Sequence, residues 1–161
     1  QFIDYDGLQV GTHKSICFST SLGDAENYFY NGKYDMALRY YKRAKADKTH
    51  LYRCNAEMAV NDKEFEKAIK YFILLDEVNR IRTYVDELDK SSDLAIVAAW
   101  LLAEETVADR NRVKKTTLYE YVTRIYHGDV EEQTRAMAVL MRCLKKHLQT
   151  QMKKILSEVS Y

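Results

Sequence analysis

The sequence predicts an all-α fold of antiparallel helical hairpins stacked as a short α-solenoid, and three observations predict it. Proline is absent from all 161 residues, where the usual frequency of about 5% would supply several, so nothing in the chain forces a helix to break. Four of the five glycines (Gly7, Gly11, Gly23, Gly32) precede residue 33, which leaves the rest almost without glycine punctuation. From about Thr20 onward the apolar residues recur at helical spacing.

Residues 1–18 differ in character from the remainder of the chain. Phe2, Ile3, Tyr5, Leu8, Val10, Ile16 and Phe18 are interrupted by Asp6-Gly7 and by Gly11, a pattern that predicts a short hairpin or irregular lead-in. Helices are expected near 20–31, 34–47, 49–60, 63–76, 78–89, 92–107, 112–127 and 129–158. Asn61 with Glu64, Thr117 with Glu120, and Asp129 with Glu132 have the spacing of a capping box or its Asx analogue. The run from Leu94 to Ala103, closed by Glu104 and Glu105, is about half the ~20 residues needed to cross a bilayer and reads as a buried helix. In the last helix Met137, Met141, Leu144, Leu148, Met152, Ile155 and Val159 form one apolar stripe. It is expected to cap the helical stack, with a dimer seam as the second reading. The whole is expected to be one domain, 1–161: the lead-in, hairpins over 19–80, and further helices over 81–161 that include the capping helix.

Two segments repeat. Ala25, Tyr28, Gly32, Tyr34, Ala37, Tyr41 and Ala44 align with Ala56, Ala59, Phe65, Ala68, Phe72 and Leu75, so that GKYDMALRYYKRA lies over KEFEKAIKYFILL. Alanines at matched positions let antiparallel helices approach closely, and aromatics fill the gaps beside them. A hairpin of this kind leaves an apolar face that stacking on the next one buries. These residues resemble the tetratricopeptide repeat over about residues 20–80, in two imperfect units. The family's tryptophan and leucine in the first helix are missing, as is its terminal proline. The period from Tyr34 to Phe65 is 31 residues, against about 34 in the family. Hairpins of this length are also similar to the α-solenoid stalks of coat and tethering proteins, and no third unit follows residue 80.

The resemblance implies a groove lined by the first helix of each unit, which takes a peptide or a partner helix. Carried over by register, its positions are Leu22, Glu26, Phe29 and Tyr30, then Arg53, Glu57, Val60 and Asn61. They lack the lysines and asparagines of the carboxylate-clamp subfamily, and Phe29 and Tyr30 suit apolar or aromatic anchors instead. Thirteen tyrosines are read mainly as packing residues. Two basic stretches, Arg39 to Lys48 with Tyr40 and Tyr41 interleaved, and Arg142 to Lys154 with no acid between, keep an RNA-binding reading open behind the others.

Several function classes drop out. The formal net charge is +1, which gives no global attraction to nucleic acid or acidic surfaces. His13, His50, His127 and His147 are isolated, no HExxH or Gly-rich phosphate loop occurs, and no nucleophile elbow is present. No enzyme activity, cofactor or metal site is therefore expected. Cys17, Cys54 and Cys143 are odd in number and scattered, which suits a reducing compartment and hence the cytoplasm. The expected function is a protein–protein interaction module or scaffold holding a partner segment, with a small chaperone as a narrower form. The alternative is a structural solenoid segment of a larger trafficking, coat or tethering complex. The expected partner is a protein or peptide, with a larger complex or homodimer open, nucleic acid ranked behind, and no membrane insertion.

Overall fold

The computed structural model describes residues 21–102 and 115–159, of which 82% are helical, with no strand among them. The predicted hairpin lead-in at 1–18 and Cys17 lie outside the described residues, as do residues 103–107 of the sixth expected helix and 112–114 of the seventh. In chain order the elements are α1 (21–30), α2 (Tyr34–Arg43), α3 (Lys48–Asn61), α4 (Phe65–Leu74), α5 (Val78–Tyr84), a 3-10 turn (Val85–Glu87), α6 (Asp93–Leu102), α7 (Lys115–Ile125) and α8 (Val130–Val159). Contacts divide the chain into two compact units, residues 1–64 and 65–161.

Unit 1 holds α1, α2 and α3. Ala25, Ala37 and Cys54 are fully buried at its centre with Tyr41, and Tyr28, Leu38, Tyr40 and Leu51 pack around them. The small side chains let the helices come close, and the aromatics close the remaining space: Tyr28 stacks on Tyr40 at 5.2 Å, and Tyr41 stacks on His50 at 4.6 Å. In α2, Asp35 in the first turn and Lys42 and Arg43 in the last complement the helix dipole. The Asp47 carboxylate caps α3 by accepting from the Thr49 amide at 3.4 Å.

The connections explain the 31-residue period. After α1 the Lys33 amide donates to the Tyr28 carbonyl and the Gly32 amide to that of Phe29, with Gly32 at φ +78. After α3 the same pair of bonds runs from Glu64 to Ala59 and from Lys63 to Val60, with Lys63 at φ +58. The turns after α2 and α4 repeat it, with Lys45 at φ 53 and Asp76 at φ 55. Each is a Schellman stop, in which one left-handed residue lets two late amides satisfy orphan carbonyls. Gly32 and Lys63 are 31 residues apart, and so are Lys45 and Asp76; α2 and α4 start and end at that same offset. The sequence repeat is thus a repeat of stops and, for α2 and α4, of helix length. It corrects one expectation: Asn61 and Glu64 form no capping box, because Asn61 is the last residue of α3 and the Glu64 amide is committed to ending that helix.

Unit 2 holds α4 to α8. Ala68, Ile69, Phe72 and Ile73 of α4 are fully or nearly fully buried, and α4 contacts α5, α6 and α8. Phe65 and Phe72 both stack on Tyr84, at 5.3 and 6.1 Å, while the Arg80 guanidinium lies 4.6 Å over the Phe72 ring. The single helix expected over 78–89 is instead α5 followed by a 3-10 turn, closed by extended Leu88 at ψ 150. The Asp89 carboxylate then accepts from the Ser91 amide and hydroxyl, at 3.0 and 2.8 Å, an Asx turn that competes with helix continuation. These bonds hold the Asp89 carboxyl below its ordinary value.

Helix α6 is the expected buried helix: Leu94, Val97, Ala98, Trp100 and Leu101 are inaccessible, and Ser92 caps it by accepting from the Ala95 amide. Thr117 lies inside α7 and does not start it. Asp129 does cap α8, accepting from the Glu132 amide at 3.0 Å. The 30-residue α8 is the expected long C-terminal helix. Its Ala136, Val139 and Leu140 are buried where it packs on α4 and α7. The apolar stripe does not serve as a cover along its whole length: Met137, Met141 and Leu144 are half-buried, and from Leu148 on it is exposed.

Candidate functional site

All eight residues expected to line the groove fall in unit 1, four on α1 and four on α3. Spacing of 4, 3 and 1 residues puts Leu22, Glu26, Phe29 and Tyr30 on one face of α1, which borders buried Ala25 on the Phe29 side. The same spacing, shifted by 31 residues, puts Arg53, Glu57, Val60 and Asn61 on one face of α3, which is flanked by buried Cys54 and Ala56, with buried Tyr52 and Ala59 further round the helix.

The exposures within this face are graded. Tyr30 is 82% exposed and Leu22 37%; Glu26, Arg53 and Asn61 are exposed, and Phe29, Glu57 and Val60 half-buried. Phe29 is the fixed point. Its ring packs edge-on against Tyr34 at 5.1 Å and Tyr30 at 6.0 Å. The Arg53 guanidinium of α3 lies 5.9 Å above it, within range of a cation–π contact. α1 and α3 therefore meet through two of the predicted residues. In the core of the same unit the Tyr41 hydroxyl has its pKa raised first by burial, then by Cys54 and Glu26, against the opposing effect of Arg53. Glu26 and Arg53 thus bring opposite charges to one small region. Val60 and Asn61 lie in the last turn of α3, at its Schellman stop.

Two groups of residues were not anticipated. On the α1–α2 side of unit 1, Arg43 lies 4.8 Å over the Tyr40 ring, which in turn stacks on Tyr28, so three residues form a column. Arg39, Lys42 and Lys45 beside it are exposed. In unit 2 an open cleft of about 410 Å³ is bordered by Glu66, Lys70, Ser91, Ser92, Asp93 and Arg124. Arg124 donates to both Asp93 carboxylate oxygens, at 2.7 and 3.2 Å, a bidentate pair. That hydrogen bond, more than the charge itself, keeps the Asp93 carboxyl below its usual range. Beyond it the buried Tyr126 hydroxyl donates to the Lys70 carbonyl at 2.6 Å. No spacing in the sequence links residue 93 to residue 124, so neither the pair nor the cleft had a signal to find. The Arg43–Tyr40–Tyr28 column had one in part, since the basic and aromatic residues of 39–48 are visibly interleaved.

Among the described residues no group of three or more His, Cys, Asp or Glu could hold a metal ion, and no helix is long and apolar enough to cross a membrane. The chain matches no protein-family model, and no curated protein or solved structure matches it.

Proposed function

We propose that this chain is a tetratricopeptide-like interaction module whose α1–α3 face holds a segment of a partner protein. The observation that carries the proposal is Tyr30, a large aromatic side chain left 82% exposed on an ordered helix, next to a Phe29 ring fixed by Tyr34 and Arg53. An aromatic edge beside a rigid apolar floor suits an anchor residue, because binding there removes area from water without ordering a flexible loop. Glu26 and Arg53 add opposite charges that would set the orientation of an incoming segment.

The test compares proteins co-purified with the wild-type chain and with Tyr30→Ala and Leu22→Ala, identified by mass spectrometry. Both positions are exposed, so helix content by circular dichroism should be unchanged. A partner whose recovery falls roughly tenfold or more with Tyr30→Ala supports the groove. Identical recovery with both variants removes it.

A second reading rests on a different observation. The 31-residue recurrence of Schellman stops, and of the α2 and α4 helix bounds, supports a structural solenoid segment of a larger trafficking, coat or tethering complex, in which helix faces join neighbours and no groove is filled. Partners that persist in the Tyr30→Ala variant but are lost on substituting exposed residues outside α1 and α3 would favour it.

A further inference from the structure

The last half of α8 combines two properties that unit 2 does not use. Leu148, Met152, Ile155, Leu156 and Val159 are between 49% and 73% exposed. At 3.6 residues per turn they fall within a sector of roughly 100° extending over about 17 Å of helix. Lys145, Lys146, Lys153 and Lys154 are all exposed. Between residues 145 and 159 these four lysines face one carboxylate, Glu158, a local net charge of +3, although the whole chain carries only +1. Lys146, Lys153 and Lys154 lie outside the apolar sector, on both sides of it, and Lys145 falls in line with it just before Leu148, where a long stem can lie along apolar surface with its ammonium in water.

A second copy of the helix is a poor occupant for this face. Pairing would gather eight lysines around two adjacent helices, and a stripe of roughly 17 by 10 Å falls well short of the ~800 Å² per partner of a standard interface. A protein groove is also a poor fit. Binding hot spots are rich in Trp, Tyr and Arg, yet in a chain with thirteen tyrosines and five phenylalanines the five exposed residues are all aliphatic or methionine. A flat, negatively charged apolar boundary fits both features: it accepts aliphatic area without shaped pockets and attracts lysines flanking it.

We propose that residues 145–159 of α8 form a basic amphipathic helix that binds the surface of an anionic lipid bilayer, lying in the plane of the headgroups and not crossing it. The test is flotation of the full chain with vesicles of phosphatidylcholine alone and of phosphatidylcholine containing about 30% phosphatidylserine. Binding should be at least about tenfold stronger to the anionic vesicles and should weaken as salt is raised, because lysine attraction is screened. Ile155→Glu should abolish it, and Lys153→Gln with Lys154→Gln should reduce it by roughly fivefold per lysine. Both sites are exposed, and Ile155→Gln with Leu148→Gln gives a milder second variant should Ile155→Glu lose helix content. Absence of binding to anionic vesicles overturns the proposal, as does equal binding to both vesicle types. It is likewise overturned if the chain dimerises in sedimentation equilibrium through this face, or if it binds an acidic protein through these residues with no vesicle affinity.

Discussion

Cys54 is fully buried on α3, and burial pushes its thiol up to about 11, only partly opposed by the Arg53 charge. Nucleophilic thiol chemistry needs the thiolate, so this cysteine is a small apolar packing residue beside Ala25 and Ala37. Native protein should leave it unmodified by a thiol alkylator at pH 8, while the half-buried Cys143 reacts first; mass spectrometry of the peptides reads the difference. The raised value also fixes a pH dependence. Because the folded pKa lies above the unfolded one, the neutral thiol's contribution is complete below the ordinary thiol pKa and is lost as pH rises toward about 11. The buried Tyr41 hydroxyl shifts in the same direction. Denaturant midpoints should therefore fall on the alkaline side, and Cys54→Ala should weaken the fall without removing it. A midpoint that rises with pH in this window would contradict the burial described for both groups.

At the scale of elements, the four Schellman stops give the chain its regularity, and three of them place a non-glycine residue at positive φ. A left-handed lysine is strained by its Cβ, whereas glycine is not. Lys45→Gly and Lys63→Gly should each stabilise the protein by about 0.5–1 kcal/mol, and Gly32→Ala should destabilise it by a similar amount, read from chemical denaturation. Loss of stability in Lys63→Gly would mean that the turn is not built as described. These stops also mark the limit of what the residues alone disclose. Ala25, Ala37, Ala56 and Ala68 announced close helix packing, and all four are fully buried. The 31-residue period could be read because aromatics and alanines sit at matched positions. The stop at Lys63 could not, since lysine carries no turn signal, and so Asn61 and Glu64 looked like a helix start. The end of the helical stretch before Leu88 was hidden for a related reason: it is followed by a turn in which the Asp89 carboxylate captures Ser91, a local competition that apolar periodicity does not register. The stripe on α8 was visible in full, but only packing decides that its first half is covered and its second half is not.

Across the whole molecule, net charge conceals what is spatially sorted. A total of +1 coexists with exposed basic residues from Arg39 to Lys45 on α2 and the turn after it, with those at Lys145–Lys154 on α8, and with the opposite charges of Glu26 and Arg53 on the α1–α3 face. The candidate site was legible in its register, because α1 and α3 repeat one face at a 31-residue offset. Its contacts were not, because the Phe29–Arg53 approach depends on how two helices pack and on no sequence spacing. The proposed partner segment would be anchored at Tyr30 and bounded by Arg53. The most direct measurement is site-specific photo-crosslinking in cells, with a benzoylphenylalanine placed at position 30 and, as a control, at position 39 on the exposed side of α2. Adducts to a discrete partner protein from position 30 and none of that partner from position 39 are the predicted result. Crosslinks confined to the chain itself from position 30, or the same adducts from both positions, would contradict the binding face on α1 and α3.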